Sequence, residues 1–288
     1  MYRVLVFGMT ENPGGVESVI MNYYRCIDKT KIQFDFLCNF HEDAAYEDEL
    51  TAMGGNVFHI TARSENYGKY KKELKAFFKD SQGTYDAIWV NVCSLANIDY
   101  LIMAKKYGIP RRIIHSHNSQ NMDSKLRGML HERNKKRIDK FATDFWTCSE
   151  DAAKWFYEDR LLPKVVMIRN SISVDRMAFD EEKRRNYRKK LHCDERTWVI
   201  GNVGRLHFQK NQKFCLDIFQ HFLKKYPNAC LVLIGQGEDE TDLKMLTARY
   251  GISEKVYFAG KQTDICGWLS AFDTFYSHQS LRDYQSLP

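Results

Sequence analysis

Several short clusters in this chain combine residue types that do chemistry. His115-Ser116-His117-Asn118 sets two imidazoles on either side of a hydroxyl. Imidazole titrates near neutrality and both donates and accepts hydrogen bonds, so His115 and His117 suit general-base or hydrogen-bonding work. A metal centre would need a third ligand close by, and none stands near in the sequence, so no metal is expected; two packed structural histidines are the plainer alternative. Gly204-Arg205-Leu206-His207-Phe208-Gln209-Lys210-Asn211 places a guanidinium and an ammonium five residues apart. Ahead of a helix, Arg205 and Lys210 would make a compact cationic clamp for a diphosphate, with a solvated basic turn as the alternative. Gly14-Gly15 would bare backbone N–H groups at a helix start, where a phosphate or a plain glycine turn fits equally; no GxGxxG accompanies them. Gly235-Gln236-Gly237 ends another apolar run and alone is a weak signal, while the Gly260 that closes Val256-Tyr257-Phe258-Ala259 would let backbone approach a planar base. Residues 125–140 carry a basic run that includes Lys135, Lys136 and Arg137. Such a face attracts anionic lipid head groups or a polyanionic acceptor, although a solvated helix face is the usual outcome.

These clusters recur at the ends of apolar runs. The runs at 3–8, 33–38, 56–60, 86–92, 111–116, 144–148 and 165–169 read as strands, with amphipathic stretches at 16–26, 70–78 and 98–107 between them. Continuous apolar strands alternating with helices predict a doubly wound parallel α/β sheet, in which ligands bind beyond the carboxyl ends of the strands. A polar, basic segment at 171–194 reads as a linker with a surface helix. A second cycle follows: strands at 198–203, 229–235, 255–259 and 274–276, helices at 210–225, 240–250 and 264–271. The expected domains are 1–170 and 195–288.

Composition bounds the rest. The 288 residues are 44% hydrophobic and 28% charged, enough apolar material for two cores and too much for a disordered chain. Lys and Arg total 43 against 37 Asp and Glu, a net +6 that fits an anionic ligand or membrane surface and is too weak to argue for nucleic acid. The 8 Cys are dispersed without a CxxC pair, which predicts reduced, packed thiols in a cytoplasmic protein. Residues 1–8 read as a first strand rather than a signal peptide.

Taken in order, the motifs resemble glycosyltransferase family four, the large retaining family with the GT-B fold. The resemblance runs from the first residues to about Asp273. It rests on Gly14-Gly15-x-Glu17, His115-x-His117, Cys148-Ser149-Glu150, Ile168-Arg169-Asn170-Ser171-Ile172 with Asp175, Gly204-Arg205 with Gln209-Lys210-Asn211, Ile234-Gly235-x-Gly237-Glu238, and Val256-x-Phe258-x-Gly260. The His-Ser-His-Asn form looks most like bacterial enzymes of exopolysaccharide and capsule synthesis. The resemblance implies two Rossmann-like domains with the active site in the cleft between them. The second would bind a UDP- or GDP-linked sugar, with Arg205, Lys210 and the Gly14-Gly15 turn at the diphosphate. Gly204, Gly235, Gly237 and Gly260 would lie on the nucleotide side. The first would take a glycan or lipid-linked acceptor, with His117, backed by His115, near the transferred sugar. Lys135, Lys136 and Arg137 would face the acceptor or the inner face of the cell membrane. Such enzymes retain anomeric configuration, need no metal or further cofactor, and have no nucleic-acid partner.

Two departures stand out. Where the family usually reads Pro-Asn-Gly-Ile, this chain reads Arg169-Asn170-Ser171-Ile172. From about residue 276 to 288 it lacks the expected Pro-Ser-x-x-Glu-Gly motif, whose carboxylate, with a further Glu, flanks the donor. One permitted back-translation of residues 275–288, read two bases on, gives Leu-Phe-Pro-Ser-Val-Phe-Glu-Gly-Leu-Ser-Val-Val-Ala. The expectation is a frameshift after Phe275, a second domain cut short and weak or absent transfer. The rival readings are a catalytically dead remnant that acts as a binding module and a GT-B nucleotide-sugar epimerase. An NAD(P) oxidoreductase is disfavoured by the missing GxGxxG, and a nucleic-acid module has only the basic stretch behind it.

Overall fold

The computed structural model describes residues 1–120 and 124–277. The chain divides into two compact units, Met1–Ile172 and Ser173–Pro288. The first runs β1 (Tyr2–Phe7), α1 (Gly15–Cys26), β2 (Ile32–Cys38), α2 (Glu47–Ala52), β3 (Val57–His59), α3 (Tyr67–Asp80), β4 (Ala87–Val92), α4 (Asp99–Lys106), β5 (Arg111–Ser116), α5 (Lys125–Lys135), β6 (Asp144–Thr147), α6 (Glu150–Phe156) and β7 (Val165–Met167). Its strands form one sheet in the order β3-β2-β1-β4-β5-β6-β7, and every pairing is parallel. The order reverses between β1 and β4, which opens a crevice at their carboxyl ends.

Helices cover both faces because the central strands are apolar on both. On one face Leu5, Ile88 and Val90 meet Tyr70, Leu74 and Phe78 of α3 and Leu101 and Ala104 of α4. On the other Val4, Val6 and Phe36 meet Ile20, Met21 and Tyr24 of α1 and Leu50 of α2. Fully burying each such side chain contributes roughly 1.5–3 kcal/mol.

The second unit begins with α7 (Glu181–Lys190), followed by β8 (Trp198–Val203), α8 (Gln212–Lys225), β9 (Ala229–Ile234), α9 (Glu240–Arg249), β10 (Val256–Gly260), α10 (Ile265–Ala271) and β11 (Thr274–Phe275). Its parallel sheet has the order β10-β9-β8-β11, so the reversal lies between β8 and β11. Cys215, Leu216 and Phe219 of α8 and Leu243 and Leu246 of α9 cover one face, and Trp268 and Ala271 of α10 the other.

Four segments differ from the sequence-based expectation. Helices α2 and α6 lie where none was predicted; each is short, and Leu50 is the one buried residue of α2. The basic stretch 125–140 is not one helix: α5 ends at Lys135, and a 3-10 turn at Ile138–Lys140 follows. The stretch 171–194 holds α7, which packs against α10 and is anchored by a buried arginine. Arg188 donates to the carbonyls of Ala271, Asp194 and Thr197 and to Asp273 Oδ2 at 3.0 Å. Among the described residues no helix is long and apolar enough to cross a membrane. The frameshift expectation falls on residues 276–288, of which 278–288 lie outside the described residues.

Candidate functional site

The chemistry-bearing residues collect at the carboxyl edges of the two sheets, in two sets, one within each unit. In the first unit the chain leaves β1 through Gly8, whose φ is +131° and whose Cβ, if present, would stand 2.6 Å from the Asn91 Cβ on β4. Only glycine combines that backbone with that approach. Gly14 then caps α1 without a side chain, and nothing lies within 4 Å of a Cβ placed on Gly15. Space is therefore open beside Gly15, while the Glu17 carboxylate occupies the Gly14 side of the turn, its Oε2 2.7 Å from a Cβ placed on Gly14. Glu17 braces this turn from within: it is 5% exposed, and its Oε1 accepts from Thr10 Oγ1 at 2.7 Å. Burial raises the Glu17 pKa.

Residues His115 and His117 end β5 with rings 4.1 Å apart, in unlike surroundings. The His115 ring is wholly buried, packed between Trp89 of β4 and Trp146 of β6, and neither nitrogen has a partner among the described residues. Burial, with His117 alongside, lowers its pKa to about 3. His117 is partly buried just past the strand end, and its Nε2 meets Asn91 Oδ1 at 2.9 Å. Burial lowers its pKa to about 4, so both rings are neutral at pH 7. Asn91 was not singled out in the sequence because it sits inside the apolar run Trp89-Val90-Asn91-Val92. Its partners are 26 and 84 residues away.

In the second unit three turns stack directly on one another. Gly204 N donates to Ile234 O at 2.9 Å, Leu206 N to Gln236 O at 3.1 Å, and Gly235 N to Gly260 O at 2.9 Å. The stack needs glycine where backbone meets backbone. A Cβ on Gly235 would lie 2.1 Å from Gly204 O, and one on Gly237 2.0 Å from Leu206 O. Arg205 is exposed on this shelf. Lys210 closes a 3-10 turn, Phe208–Lys210, and its side chain runs back within 3.6 Å of a Cβ placed on Gly204. Helix α8 starts two residues after Lys210, beyond Asn211 at φ 48°. Neither Arg205 nor Lys210 enters an ion pair among the described residues. The buried Gln212, another residue absent from the sequence reading, ties the loop down by donating to Arg205 O at 3.0 Å and to Asn202 Oδ1. Beside it His207 pairs with Glu238 at 3.4 Å. A groove of about 610 Å³ between α8 and α9 touches this loop at Phe208 and Asn211 but excludes Arg205 and Lys210.

The basic trio lies elsewhere. In its last turn α5 packs beside the loop between β4 and α4, where Asn134 Nδ2 donates to Leu95 O at 2.7 Å. There Lys135 Nζ donates to Trp155 O at 2.7 Å, and Arg137 bonds Asn134 and lies over the Phe141 ring. Lys136 is exposed. At its start α5 presents exposed Lys125, Leu126, Arg127 and Met129. Among the described residues no three His, Cys, Asp or Glu side chains converge as a metal cluster would require.

Comparison with known proteins agrees with this architecture. Residues 183–277 match the family described as "Glycosyl transferases group 1". Over 286 residues the chain is 27% identical to the "Putative glycosyltransferase EpsF" of Bacillus subtilis (strain 168), covering 95% of this chain and 72% of that protein. Over 93 residues it is 33% identical to the "Lipopolysaccharide core biosynthesis glycosyltransferase LpsD" of Rhizobium meliloti (strain 1021), covering 32% of this chain and 26% of that one. Among solved structures, HepE of Anabaena in complex with UDP and glucose superposes with a TM-score of 0.76 at 16% identity, over 97% of this chain and 74% of that one. WaaG, a glycosyltransferase involved in lipopolysaccharide biosynthesis, superposes with a TM-score of 0.67 at 13% identity, over 96% and 75%. The fold is the parallel α/β fold of the GT-B glycosyltransferases.

Proposed function

We propose that this chain is a retaining glycosyltransferase that moves a hexose from a UDP- or GDP-linked donor to a glycan or lipid-linked acceptor in bacterial exopolysaccharide or capsule synthesis. The observation that carries the reading is the shelf at the carboxyl end of β8. Arg205 and Lys210 stand there without a counter-charge among the described residues, over turns stacked so closely that only glycine fits. Cationic donors held in that way stabilise a dianionic diphosphate and the charge that builds on it as the sugar–phosphate bond breaks. His117, neutral at pH 7, would meet the sugar by hydrogen bonding.

Calorimetric titration with UDP and GDP tests the donor half. One of them should bind, and Arg205→Ala and Lys210→Ala should each weaken it by about 10-fold or more, since a hydrogen bond to a charged group contributes roughly 1.5–3 kcal/mol. Undiminished binding by both variants would reject the clamp. We also propose that residues from about 276 onward are read in a shifted frame and that transfer by the chain as it stands is weak. Re-reading the encoding DNA tests the first point: no single-base change restoring the Pro-Ser-x-x-Glu-Gly frame would end it. Robust transfer from a bound donor would end the second. The chain would work in the cytoplasm, peripherally on the inner membrane face. The exposed Leu126 and Met129 among the basic residues of α5 support this, and co-sedimentation with anionic rather than zwitterionic vesicles is the expected result.

A further inference from the structure

The hydrogen bonds around His117 fix more than its place. Asn91 is 2% exposed on β4, flanked by β1 on one side and β5 on the other. Its Nδ2 lies 3.3 Å from Phe7 O. A backbone carbonyl can only accept, so the amide must point its NH2 group at β1. The same amide then turns Oδ1 toward β5, where it meets His117 Nε2 at 2.9 Å. An amide oxygen also only accepts, so His117 Nε2 must carry a proton. A neutral imidazole has one proton, and Nδ1 is left as a bare lone pair. Nδ1 has no protein partner among the described residues and, unlike the nitrogens of His115, is not among the side-chain atoms sealed from solvent. Gly8 keeps the amide in place, since any larger residue there would collide with the Asn91 Cβ. The His117 backbone is fixed as well, by donation from His117 N to Val92 O at 3.2 Å.

We propose that Asn91 is a positioning residue that locks His117 as its Nε2–H tautomer, so that His117 offers ligands a hydrogen-bond acceptor, Nδ1, and no donor. The consequence is selectivity. A phosphate oxygen has no hydrogen to give, so the group that meets His117 is a hydroxyl or an N–H of the sugar rather than the diphosphate. Only this last step rests on the reading of the chain as a sugar-transferring enzyme; the tautomer follows from the three hydrogen-bonding partners alone. Burial, which keeps the ring neutral at pH 7, works in the same direction.

Nitrogen-15 NMR of the histidine side chains in the full chain tests it, with the His117 signals identified by their loss in His117→Gln. The wild type should show a pyrrole-like Nε2 with a proton protected from exchange, and a pyridine-like Nδ1. Asn91→Leu removes the acceptor and should lose the protected proton. Asn91→Asp restores an acceptor and should recover it, while its charge moves the titration of His117 to higher pH, a change that a merely structural asparagine would not produce. Thermal melts of the three proteins identify a variant that has failed to fold, and the wild-type spectrum and Asn91→Asp then decide. A proton on Nδ1 in the wild type, or the same protected Nε2 proton in folded Asn91→Leu, overturns the positioning role. UDP-glucose and GDP-mannose should shift the Nδ1 resonance where UDP and GDP alone do not. The locked tautomer without such a shift supports the positioning role and overturns the sugar contact.

Discussion

At the scale of single residues, the two histidines of one strand end have been given different physics by their neighbours. His117 has a polar partner and an open nitrogen. His115 has two tryptophan faces and, among the described residues, no partner for either nitrogen. Burial holds the His115 pKa near 3, against about 6.5 for a free histidine. As pH falls below about 6.5 the unfolded chain takes up a proton that the folded chain refuses. The contribution of His115 to stability is therefore complete above pH 6.5 and is lost as pH falls toward 3. His115→Leu removes both the titration and two unpaired buried nitrogens. Its melting temperature at pH 7 should match or exceed the wild type's, and it should fall less between pH 7 and pH 5, by an amount on the order of 1–2 kcal/mol in stability at pH 5. Melts followed by circular dichroism at pH 5, 6 and 7 check this; parallel curves for the two proteins would show that His115 does not set the acid limb.

At the scale of elements, the segment between the two sheets is more than a tether. Helix α7 is so charged that its sequence, Glu181-Glu182-Lys183-Arg184-Arg185, reads as a solvated face, yet it carries the buried Arg188. That guanidinium satisfies three carbonyls and Asp273, whose carboxylate also accepts from Val199 N and Arg184. The cluster joins α7, β8 and the start of β11, so Arg188→Met should destabilise the second unit by about 3–5 kcal/mol, the range for breaking one side of a buried pair. Denaturant melts of the full chain, read at Trp198 and Trp268 with the other tryptophans replaced by Phe, would show it; a loss under about 1 kcal/mol would return α7 to the role of a surface helix. The same contrast explains what was legible. Strands β4, β5, β8 and β9 announce themselves as apolar runs bounded by turns, and so do the glycine and cation positions just past their ends. Asn91, Gln212 and Arg188 do not, because each acquires its meaning from groups on other elements, brought near only by sheet order. Helices α2 and α6 escaped because six or seven residues with one to three buried side chains give no helical period to read.

At the scale of the whole molecule, each unit owns its core, and the residues that join them own almost none. From Arg169 to Ala178 no side chain is buried, and Ile172 and Val174 are 65% and 75% exposed despite being apolar. The backbone here is tied at few points: Tyr23 donates to Arg169 O, Asn22 to Ser171 O, and Met177 N closes one turn onto Ser173 O. Proteases need several consecutive residues in extended, accessible backbone, which most of the 43 Lys and Arg, carried on helices or strands, do not offer. Trypsin under native conditions should therefore cut first after Arg169, ahead of the exposed lysines of α3 and α7. Each unit rests on its own pair of apolar clusters, so the amino-terminal product should resist further digestion and keep the near-ultraviolet signal of Trp89, Trp146 and Trp155. Mass spectrometry of a time course reads the order of cuts directly. First cuts inside α3 or α7, or rapid loss of the 1–169 product, would mean that the two cores do not stand independently and that the joining segment is held more firmly than its exposure implies.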